Sequence, residues 1–481
     1  MAKEKNNVNE GKPLEKVKKA EKFKMPDTYL IIVGIMIFAA LLTYIIPAGV
    51  YGTKLDPVTG KEVLDSASFQ YVKNTPTTLI QFLLAFSHGL TKQGTMILNV
   101  ILICGCFHVV NETKGLSNFF GYVIAKLHTK ALLIIPVVMV LFGFLGSSGA
   151  LVNSTIAFVP IGLVIASQLG MDRVFAMAVI YLSTFAGFGS SFMSVSSVQI
   201  AQQLADLPVL SGSGFRIVVS AVIVLAAIIY TMIYCFRVRK DNTKSVLWGT
   251  EAWGFDDIDQ NENFDAKITI KDLIIVVCTF GSFGLFVWGA INKDWGQDMM
   301  AAFMVFCAIF CGLLSGMSCE KVAKEFVVGA RKVLYGVILI GFASGISLIL
   351  TDGQIIHTII HAVAIPLSKL SGPIAAVAMF WFNLVFNFFV CSASGQAAIV
   401  MPIMAPLADI VGLTRQVAVL AYQYGDGLSN TIFPVSSSLV ASLAIAGVPF
   451  QKWLKFQIPL FLIWVVIASV AISIAVMIGY C

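Results

Sequence analysis

The run FQIPLFLIWVVIASVAISIAVMIGY, residues 456–480, contains no charged side chain. A helix of about 20 mostly apolar residues is long enough to cross the hydrocarbon core of a bilayer. Five more apolar runs are near or above roughly 18 residues, and they cover residues 30–47, 215–236, 273–291, 299–317 and 333–350. A soluble protein has no use for so many such runs. They therefore predict an all-α membrane protein with several spans.

Composition and charge distribution agree with this class. The chain of 481 residues is 58% hydrophobic and 12% charged, about half the charged fraction of soluble domains. Eight lysines lie within residues 1–24, and a second basic group, Arg237, Arg239, Lys240 and Lys244, follows a long apolar run. An excess of lysine and arginine beside a span marks the cytoplasmic side. We therefore expect a multi-pass protein of the bacterial inner membrane, with its N-terminus and central linker in the cytoplasm.

The chain divides into two membrane halves. Residues 1–24 form a basic tail, 25–237 the first half, 238–267 an acidic linker and 268–481 the second half. The linker holds seven acidic residues and no apolar run long enough to span a membrane. Such a composition is typical of a connecting segment outside the membrane.

The two halves resemble one another. Pro160-Ile161 precedes Arg173 by the same spacing that separates Pro402-Ile403 from Arg415, and the offset between the copies is 242 residues. Weak self-similarity at half the chain length is typical of duplicated transporter halves. With the N-terminus and the linker both in the cytoplasm, the first half begins and ends on the same side of the membrane. The two repeats can then be inverted only if a span such as 30–47 lies outside the repeat. We predict two inverted repeats.

Four apolar stretches are interrupted by small polar residues, in matching places of the two halves: 146–155 with 392–396, and 187–197 with 425–438. Irregular backbone at membrane depth is tolerated where it lines a cavity, and half-helix N-termini there can bind a carboxylate. The expected substrate-binding residues are Ser147, Ser148, Asn153, Ser154, Thr155, Ser394, Gln396, Asp426, Ser429, Asn430 and Thr431. The expected cation or broken-helix residues are Ser190, Ser191, Ser196 and Ser436. The alternative is that glycine and serine only allow close helix packing.

Asp426 is the sharpest candidate, because no other charge lies between Arg415 and Lys452. A buried carboxylate in a membrane is costly unless it is paired or functional. It could bind a substrate ammonium, ligate a coupling cation or carry a proton, or it could be held by backbone N–H groups. Its counterpart in the first half would be Phe185 or Gly187.

Other motifs predict no cofactor beyond a coupling Na+ or H+. The nine cysteines include no CxxC pair and mostly lie in apolar runs, so we expect free thiols and no metal site. His357 and His361 are four residues apart but have no acidic or thiol partner nearby in the sequence. Tyr424-Gly-Asp-Gly427 resembles the GxGD signature of intramembrane aspartyl proteases, which is a remote enzymatic alternative; the position two before Asp426 is Tyr, not Gly.

A longer pattern resembles a known family. The runs 394–409 and 412–430, SGQAAIVMPIMAPLAD and GLTRQVAVLAYQYGDGLSN, are similar to the YfcC family, in the group of C4-dicarboxylate anaerobic carriers and basic amino acid antiporters of the ion transporter superfamily. The resemblance covers nearly the whole chain outside the first twenty residues and the linker. It implies an elevator-type secondary transporter, usually a homodimer, in which each half contributes a re-entrant hairpin and a broken helix.

The resemblance also bears on the substrate. Its Ser-Asn-Thr tips bind substrate carboxylate and coupling cation; here the hairpin tips correspond to residues 147–155 and 392–396, whereas Ser429-Asn430-Thr431 lies on the second broken helix. Many members carry two glutamates where this chain has Asn153-Ser154, which argues against a dibasic substrate. One aspartate among neutral donors suits a zwitterion, and no Arg or Lys lies in the four stretches for a dicarboxylate. We expect symport or exchange of a small carboxylate-bearing solute, an amino acid before a C4-dicarboxylate.

Overall fold

The computed structural model describes residues 28–55, 62–65, 68–127, 132–149, 151–152, 154–254, 268–293, 295, 297–370 and 372–481. The basic tail 1–24, the linker segment 255–267 and Asn153 lie outside the described residues. Within this part, the chain is helical except for two short pairs of antiparallel strands and the connecting loops.

The first half contributes ten of the described helices. They are α1 (Thr28–Ile45), α2 (Leu79–Lys92), α3 (Gly94–Glu112), α4 (Gly115–Leu127), α5 (Ile134–Ser147), α6 (Val159–Gln168), α7 (Arg173–Met177), α8 (Ser183–Gly189), α9 (Ile200–Leu204) and α10 (Ser213–Lys240). Turns of tighter or wider pitch precede α6, join α7 to α8 and precede α9, at Ser154–Phe158, Ala178–Leu182 and Val195–Gln199.

The second half contributes another ten described helices. They are α11 (Ile270–Asn292), α12 (Gln297–Leu314), α13 (Cys319–Lys332), α14 (Leu334–Asp352), α15 (Ile356–Leu367), α16 (Gly372–Phe386), α17 (Ala393–Ile410), α18 (Arg415–Ser429), α19 (Ser437–Ala446) and α20 (Phe450–Met477). All six apolar runs of the sequence fall on helices, namely α1, α10, α11, α12, α14 and α20.

The strands lie in the connection between α1 and α2. β1 (Gly49–Val50) pairs with β4 (Gln70–Tyr71), and β2 (Thr53–Leu55) pairs with β3 (Glu62–Leu64). Both histidines of α15 contact this connection. The N–H of Tyr51 donates to Nδ1 of His357 (3.3 Å), and the Tyr51 hydroxyl lies 3.0 Å from Nδ1 of His361. The histidines therefore anchor this loop to α15.

Four described helices are long and apolar enough to cross a membrane by length and composition: α3, α10, α17 and α20. A fifth candidate is the bent pair formed by α14 and α15, which meet at 75°. The outer side of α20 exposes Ile458, Leu462, Val466 and Val470, one residue per turn. An exposed apolar stripe of this kind fits a helix whose outer side faces lipid.

Helix lengths repeat between the halves. The equal pairs are α1 and α12 with 18 residues, α2 and α13 with 14, α3 and α14 with 19, and α10 and α20 with 28. The starts of α2 and α13, and those of α3 and α14, are both 240 residues apart. This series leaves α11 without a counterpart. For two repeated halves, the equal lengths favour α11 over the run 30–47 as the helix outside the repeat.

Close glycine contacts follow the same correspondence. A Cβ added at Gly89 on α2 would lie 3.0 Å from the backbone N of Gly345 on α14. A Cβ added at Gly329 on α13 would lie 3.0 Å from Cα of Gly105 on α3. Both glycine pairs are related by 240 residues, with the two halves exchanging roles. Small residues let the backbones of membrane helices approach this closely.

Candidate functional site

Two helix–loop–helix pairs supply the first part of the site. In the first half α5 ends at Ser147, and a tight turn beginning at Ser154 leads into α6, which has Pro160 in its first turn. In the second half α16 ends at Phe386, and α17 begins after Ser392, whose hydroxyl accepts from the N–H of Gly395 (3.4 Å). We call the two connections the hairpin loops. The first falls within the predicted interruption 146–155, whereas the second precedes the predicted stretch 392–396, of which only Ser392 lies outside α17.

Two broken helices supply the second part. The continuous segment Arg173–Gly189 (α7 and α8) ends before residues 190–194, and α18 ends before residues 430–436. We call these the break loops. Asp426 and Ser429 lie in the last turn of α18. The predicted interruption at 425–438 therefore begins later than expected, because Gly425 and Gly427 keep helical geometry where neighbouring backbone packs against them.

The two broken helices cross where they end. A Cβ added at Gly427 would lie 2.3 Å from Cα of Gly189, and one added at Gly189 would lie 2.9 Å from the backbone N of Leu428. Real Cβ atoms do not approach backbone this closely, so the crossing requires glycine on both helices. The crossing brings the two break loops to the same part of the molecule.

Reciprocal hydrogen bonds tie the break loops together. The hydroxyl of Tyr181 donates to the carbonyl of Asn430 (3.1 Å), and Nε2 of Gln423 donates to the carbonyl of Phe188 (2.6 Å). Both donors and both acceptors are related by 242 residues. With this register on both sides, the counterpart of Asp426 is Thr184, and not Phe185 or Gly187. The hydroxyl of Thr184 is satisfied, since it accepts from Thr155 (2.9 Å).

The hairpin loops and break loops surround one cavity of about 450 Å³. Its lining combines hydroxyl and amide groups with aromatic rings, and among the described residues it includes no Asp, Glu, Lys or Arg. The lining residues are Gln93, Met96, Gly149, Val152, Ser154, Phe185, Phe188, Ser196, Phe286, Trp295, Cys391, Ser392, Ala393, Ser394, Asn430, Ser436, Ser437 and Ser438. Of the residues predicted from the sequence, the structure brings Ser154, Ser196, Ser394, Asn430 and Ser436 together here.

Two helix N-termini open into this cavity. Ser394 lies in the first turn of α17, and Ser437 and Ser438 lie in the first turn of α19. The first N–H groups of a helix have no partner within the helix, and they carry partial positive charge. Serine hydroxyls at the same places add neutral donors. The cavity can therefore bind an anionic group without a cationic side chain.

The remaining predicted hydroxyls are engaged within the protein. Each of the following donates to a main-chain carbonyl: Ser147 to Gly143 or Gly187, Ser148 to Leu145, Ser190 to Ala186, Ser191 to Ser147, Ser429 to Gly425 or Asp426, and Thr431 to Leu428. The hydroxyl of Thr155 donates to Thr184. These residues fix the loops that border the cavity.

Asp426 lies one helical turn before Asn430 and is fully buried. Neither carboxylate oxygen has a hydrogen-bond partner among the described residues. Its main-chain carbonyl, by contrast, accepts from Nδ2 of Asn387 (3.0 Å), Nδ2 of Asn430 (2.9 Å) and the hydroxyl of Ser429 (3.0 Å). The backbone is thus held in place while the carboxylate itself is left without a donor, which is unusual for a buried charge.

Two further buried oxygens on segments that contact α18 also lack a partner among the described residues: Oδ1 of Asn387 and Oε1 of Gln396. Gln396 donates through Nε2 to the carbonyl and to Oδ1 of Asn383 (both 3.1 Å), and Asn383 packs against Gly425. The sequence analysis missed Asn387. Its signal was two asparagines, Asn383 and Asn387, one turn apart in an otherwise apolar helix. A group of acceptor atoms without donors is suited to a cation.

The two arginines that begin the broken helices make reciprocal contacts. Nη1 of Arg173 donates to the carbonyl of Ala446 at the end of α19 (3.4 Å). Nη1 of Arg415 donates to the carbonyl of Ala205 just after α9 (3.0 Å) and to Asp206 (2.6 Å). A cation at a helix C-terminus binds carbonyls that lack partners and complements the helix dipole. Arg173 therefore caps α19 and Arg415 caps α9, in each case the helix that follows the break loop of the opposite half.

Comparison with known proteins gives three results. A family model described as the C4-dicarboxylate anaerobic carrier, DcuC, matches residues 25–477. The "Putative basic amino acid antiporter YfcC" of Escherichia coli K12 is 32% identical over 98% of this chain and 99% of its own length, and an uncharacterized protein of Haemophilus influenzae Rd is 25% identical over 95% and 98%. The crystal structure of the Alcanivorax borkumensis YdaH transporter covers 95% of this chain, and this chain covers 99% of YdaH, at a TM-score of 0.41 and 16% identity.

Proposed function

Because the chain belongs to the C4-dicarboxylate anaerobic carrier family, we propose that it is a secondary active transporter of a small carboxylate-bearing solute, and specifically of an amino acid. The observation that carries this proposal is the neutral cavity enclosed by both hairpin loops and both break loops. Symport with a cation and exchange of solutes are both compatible with such a site. The family consists of carriers, so we do not propose the protease activity suggested by Tyr424-Gly-Asp-Gly427.

The carboxylate of the solute would bind at the N-termini of α17 and α19. Ser394 and Ser437 would donate from their hydroxyls, and the first backbone N–H groups of each helix would add to them. The aromatic rings of Phe188, Phe286 and Trp295 would contact the apolar part of the solute. This combination of a few polar groups with aromatic walls is common in small-molecule sites.

Asp426 would supply the negative charge that an ammonium or a coupling cation requires. It is fully buried one turn before Asn430, and two more oxygens without partners among the described residues, from Asn387 and Gln396, lie on segments that contact α18. An ionised carboxylate without donors is stabilised most directly by a bound cation. We propose that this group of oxygens binds either the solute ammonium or a coupling Na+ or H+.

The C4-dicarboxylate named in the family description remains the second candidate. Two helix N-termini at one cavity could each take one carboxylate, which is the observation in its favour. The described part of the lining contains no lysine or arginine, which argues for the amino acid. A basic amino acid, the class in the name of the Escherichia coli relative, carries a side-chain cation in addition to its ammonium. Asp426 would have to balance the charge of both groups.

We further propose that the halves are inverted repeats that move as an elevator. The support is the set of reciprocal contacts, in which Tyr181 and Gln423 exchange roles, as do Arg173 and Arg415. Arg173 also donates to Gly254 of the linker (2.9 Å). On this proposal the linker end of the molecule is cytoplasmic, and the end with Arg415 is periplasmic.

Uptake into proteoliposomes would test the transported class. Labelled neutral amino acids, basic amino acids and C4-dicarboxylates are offered separately, each with an imposed Na+, H+ or counter-solute gradient. We expect accumulation of neutral amino acids. Uptake restricted to C4-dicarboxylates would transfer the assignment to the second candidate, and the absence of uptake for all carboxylates would overturn the proposal. Empty liposomes and liposomes with Asp426→Asn provide the controls.

A further inference from the structure

Three cysteines from two helices converge inside the membrane part of the protein. Cys278 lies on α11, and Cys307 and Cys311 lie one turn apart on α12. Their sulfur atoms all lie within 4.8 Å of one another, and Sγ of Cys307 is 3.7 Å from Sγ of Cys311. Cys307 and Cys311 are buried, whereas Cys278 is half-buried. All three are free thiols.

The sequence alone favoured an inert role for these cysteines, because a free thiol in an apolar helix behaves as a small hydrophobe. That explanation does not require three thiols at one point. Two hydroxyls adjoin the group: that of Thr279 lies 3.5 Å from Sγ of Cys307, and that of Ser282 contacts Cys278 and Cys307. The buried side of α12 also carries Met300 and Met304 in the two turns before Cys307.

We propose that Cys278, Cys307 and Cys311 form a binding site for one thiophilic metal ion of the Cu(I) class. Three sulfur ligands without an imidazole or carboxylate in the group favour a soft ion over Mg2+, Ca2+ or Mn2+. The separations allow all three sulfurs to coordinate one ion after small movements. One thiol loses its proton on binding, so that a single thiolate cancels the charge of the Cu(I) ion, and the other two sulfurs coordinate as neutral thiols.

Such an ion would hold α11 to α12 beside the transport cavity. One to two turns after Cys278, Phe283 stacks on Phe158 of the first helix pair, with ring centroids 4.1 Å apart. Phe286, one turn further, lines the cavity. The metal site would thus stabilise α11, which forms one wall of the transport cavity. The inference concerns binding of the metal and is independent of which solute is transported.

Titration of the purified protein with Ag(I), a stand-in for Cu(I) that does not change oxidation state, tests the site. The protein is kept reduced and free of oxygen, and a thiol competitor of known affinity sets the scale. We expect one tightly bound Ag(I) per chain and a higher midpoint of thermal unfolding. Cys307→Ala should weaken binding on the order of 100-fold or more, because removing even an outer partner of a metal ligand costs 10- to 100-fold.

The triple replacement of Cys278, Cys307 and Cys311 by Ala should abolish both effects. A matched variant with Cys104, Cys235 and Cys481 replaced by Ala keeps the cluster and should retain both. Equal binding by the two triple variants would overturn the proposal, as would several weakly bound ions spread over all cysteines. A stable disulfide among the three cysteines that blocks Ag(I) even after reduction would overturn it as well. The single variant Cys311→Ala covers the case in which the triple variant fails to fold.

Discussion

At the scale of single residues, Asp426 departs most from what burial permits. Its carboxylate lies in α18 at 0% exposure without a hydrogen-bond donor among the described residues. The sequence identified this residue because no other charge lies between Arg415 and Lys452. It could not show that the carboxylate lacks donors, because the donors that hold the Asp426 carbonyl come from loops and helices up to 39 residues away. The sequence therefore identifies Asp426 as a candidate, and only the tertiary structure shows why burial of its carboxylate costs free energy.

Asp426→Asn tests whether this charge binds a cation. The change keeps the shape of the side chain and removes the charge, so a purely structural residue would tolerate it. We expect a strong loss of gradient-driven uptake, measured in proteoliposomes. Loss confined to solutes with an ammonium indicates ammonium binding, whereas an altered Na+ or pH requirement indicates the coupling ion.

Asp241→Asn is the matched control, because Asp241 is a linker carboxylate that accepts from Thr243 outside the membrane. It should leave uptake unchanged. If Asp426→Asn transports every solute at the wild-type rate, with the same dependence on ions and pH, Asp426 has no part in the mechanism.

The serines at the two helix N-termini provide a second residue-level prediction. Ser394→Ala and Ser437→Ala should each weaken solute affinity about ten- to hundredfold, since a hydrogen bond to a charged group contributes about 1.5–3 kcal/mol. Ser167→Ala should bind normally, because that hydroxyl donates to Val164 at the end of α6, outside the cavity. Concentration dependence of uptake measures all three. Normal affinity in both cavity variants would mean that the serines only permit close packing.

At the scale of elements, the breaks in the helices were predictable and their crossing was not. Small polar residues at 146–155 coincide with the first hairpin loop, whereas those at 392–396 mark the start of α17, just after the second loop. By contrast, Gly187 and Gly425 look like breaks in the sequence but lie within helices. Their missing side chains serve close contact with α5 and α16, respectively. Glycine has both uses, and only the neighbouring element distinguishes them.

The crossing of the broken helices predicts a steep cost for one methyl group. Gly427→Ala would place its Cβ 2.3 Å from Cα of Gly189, so the helices must separate. We expect a loss of about 1–3 kcal/mol or more, seen as a lower midpoint of thermal unfolding. The same change should reduce transport, because it displaces both break loops.

Gly214→Ala is the control for this prediction. Gly214 lies on α10 with nothing within 4 Å of an added Cβ. Alanine favours helix over glycine by up to about 1 kcal/mol, so this variant should be as stable as the wild type or more so. Equal stability of Gly427→Ala and Gly214→Ala would contradict the tight crossing.

At the scale of the whole molecule, α10 fixes which ends of the elements lie together. It has 28 residues and is therefore about 42 Å long. At its start, Arg216 donates to Gln416 of α18 (2.8 Å). Near its end, the hydroxyl of Tyr234 donates to the carboxylate of Asp172, which caps α7. The hydroxyl of Ser245, just after α10, donates to the same carboxylate. The segments that begin at Arg173 and Arg415 thus start at opposite ends of α10.

This arrangement predicts the sidedness of three exposed residues. In a cysteine-free variant, single cysteines at Lys73 and Asp206 should react with an impermeant reagent added outside the cell. A cysteine at Asn242 in the linker should react only after the membrane is opened. Each residue is exposed in the structure. Labelling of Asn242 from outside would reverse the orientation, and labelling of Asp206 only from inside would contradict the inverted repeats.

Much of the overall plan could be inferred from the sequence. The division into halves rested on two proline–arginine spacings, and equal helix lengths now extend the correspondence to α1 and α12. The helix without a counterpart, α11, was not predictable, since its residues are as apolar as those of its neighbours. The role of Phe286 and Trp295 as lining residues of the cavity was missed for the same reason. The homodimer, the coupling ion and the sidedness stay predictions.

The burial of Asp426 has an electrical consequence for an empty carrier. If the site moves with nothing bound, an ionised Asp426 takes one negative charge through the membrane voltage, worth about 2.3 kcal/mol per 100 mV for a full crossing. A bound cation cancels that charge, so the loaded site should cross readily and the empty site slowly. We expect Asp426→Asn to release this restraint and to create a leak, in which solute runs downhill without its ion. Uptake of labelled solute, paired with current recordings on solid-supported membranes, would show solute flux without the charge movement seen in the wild type.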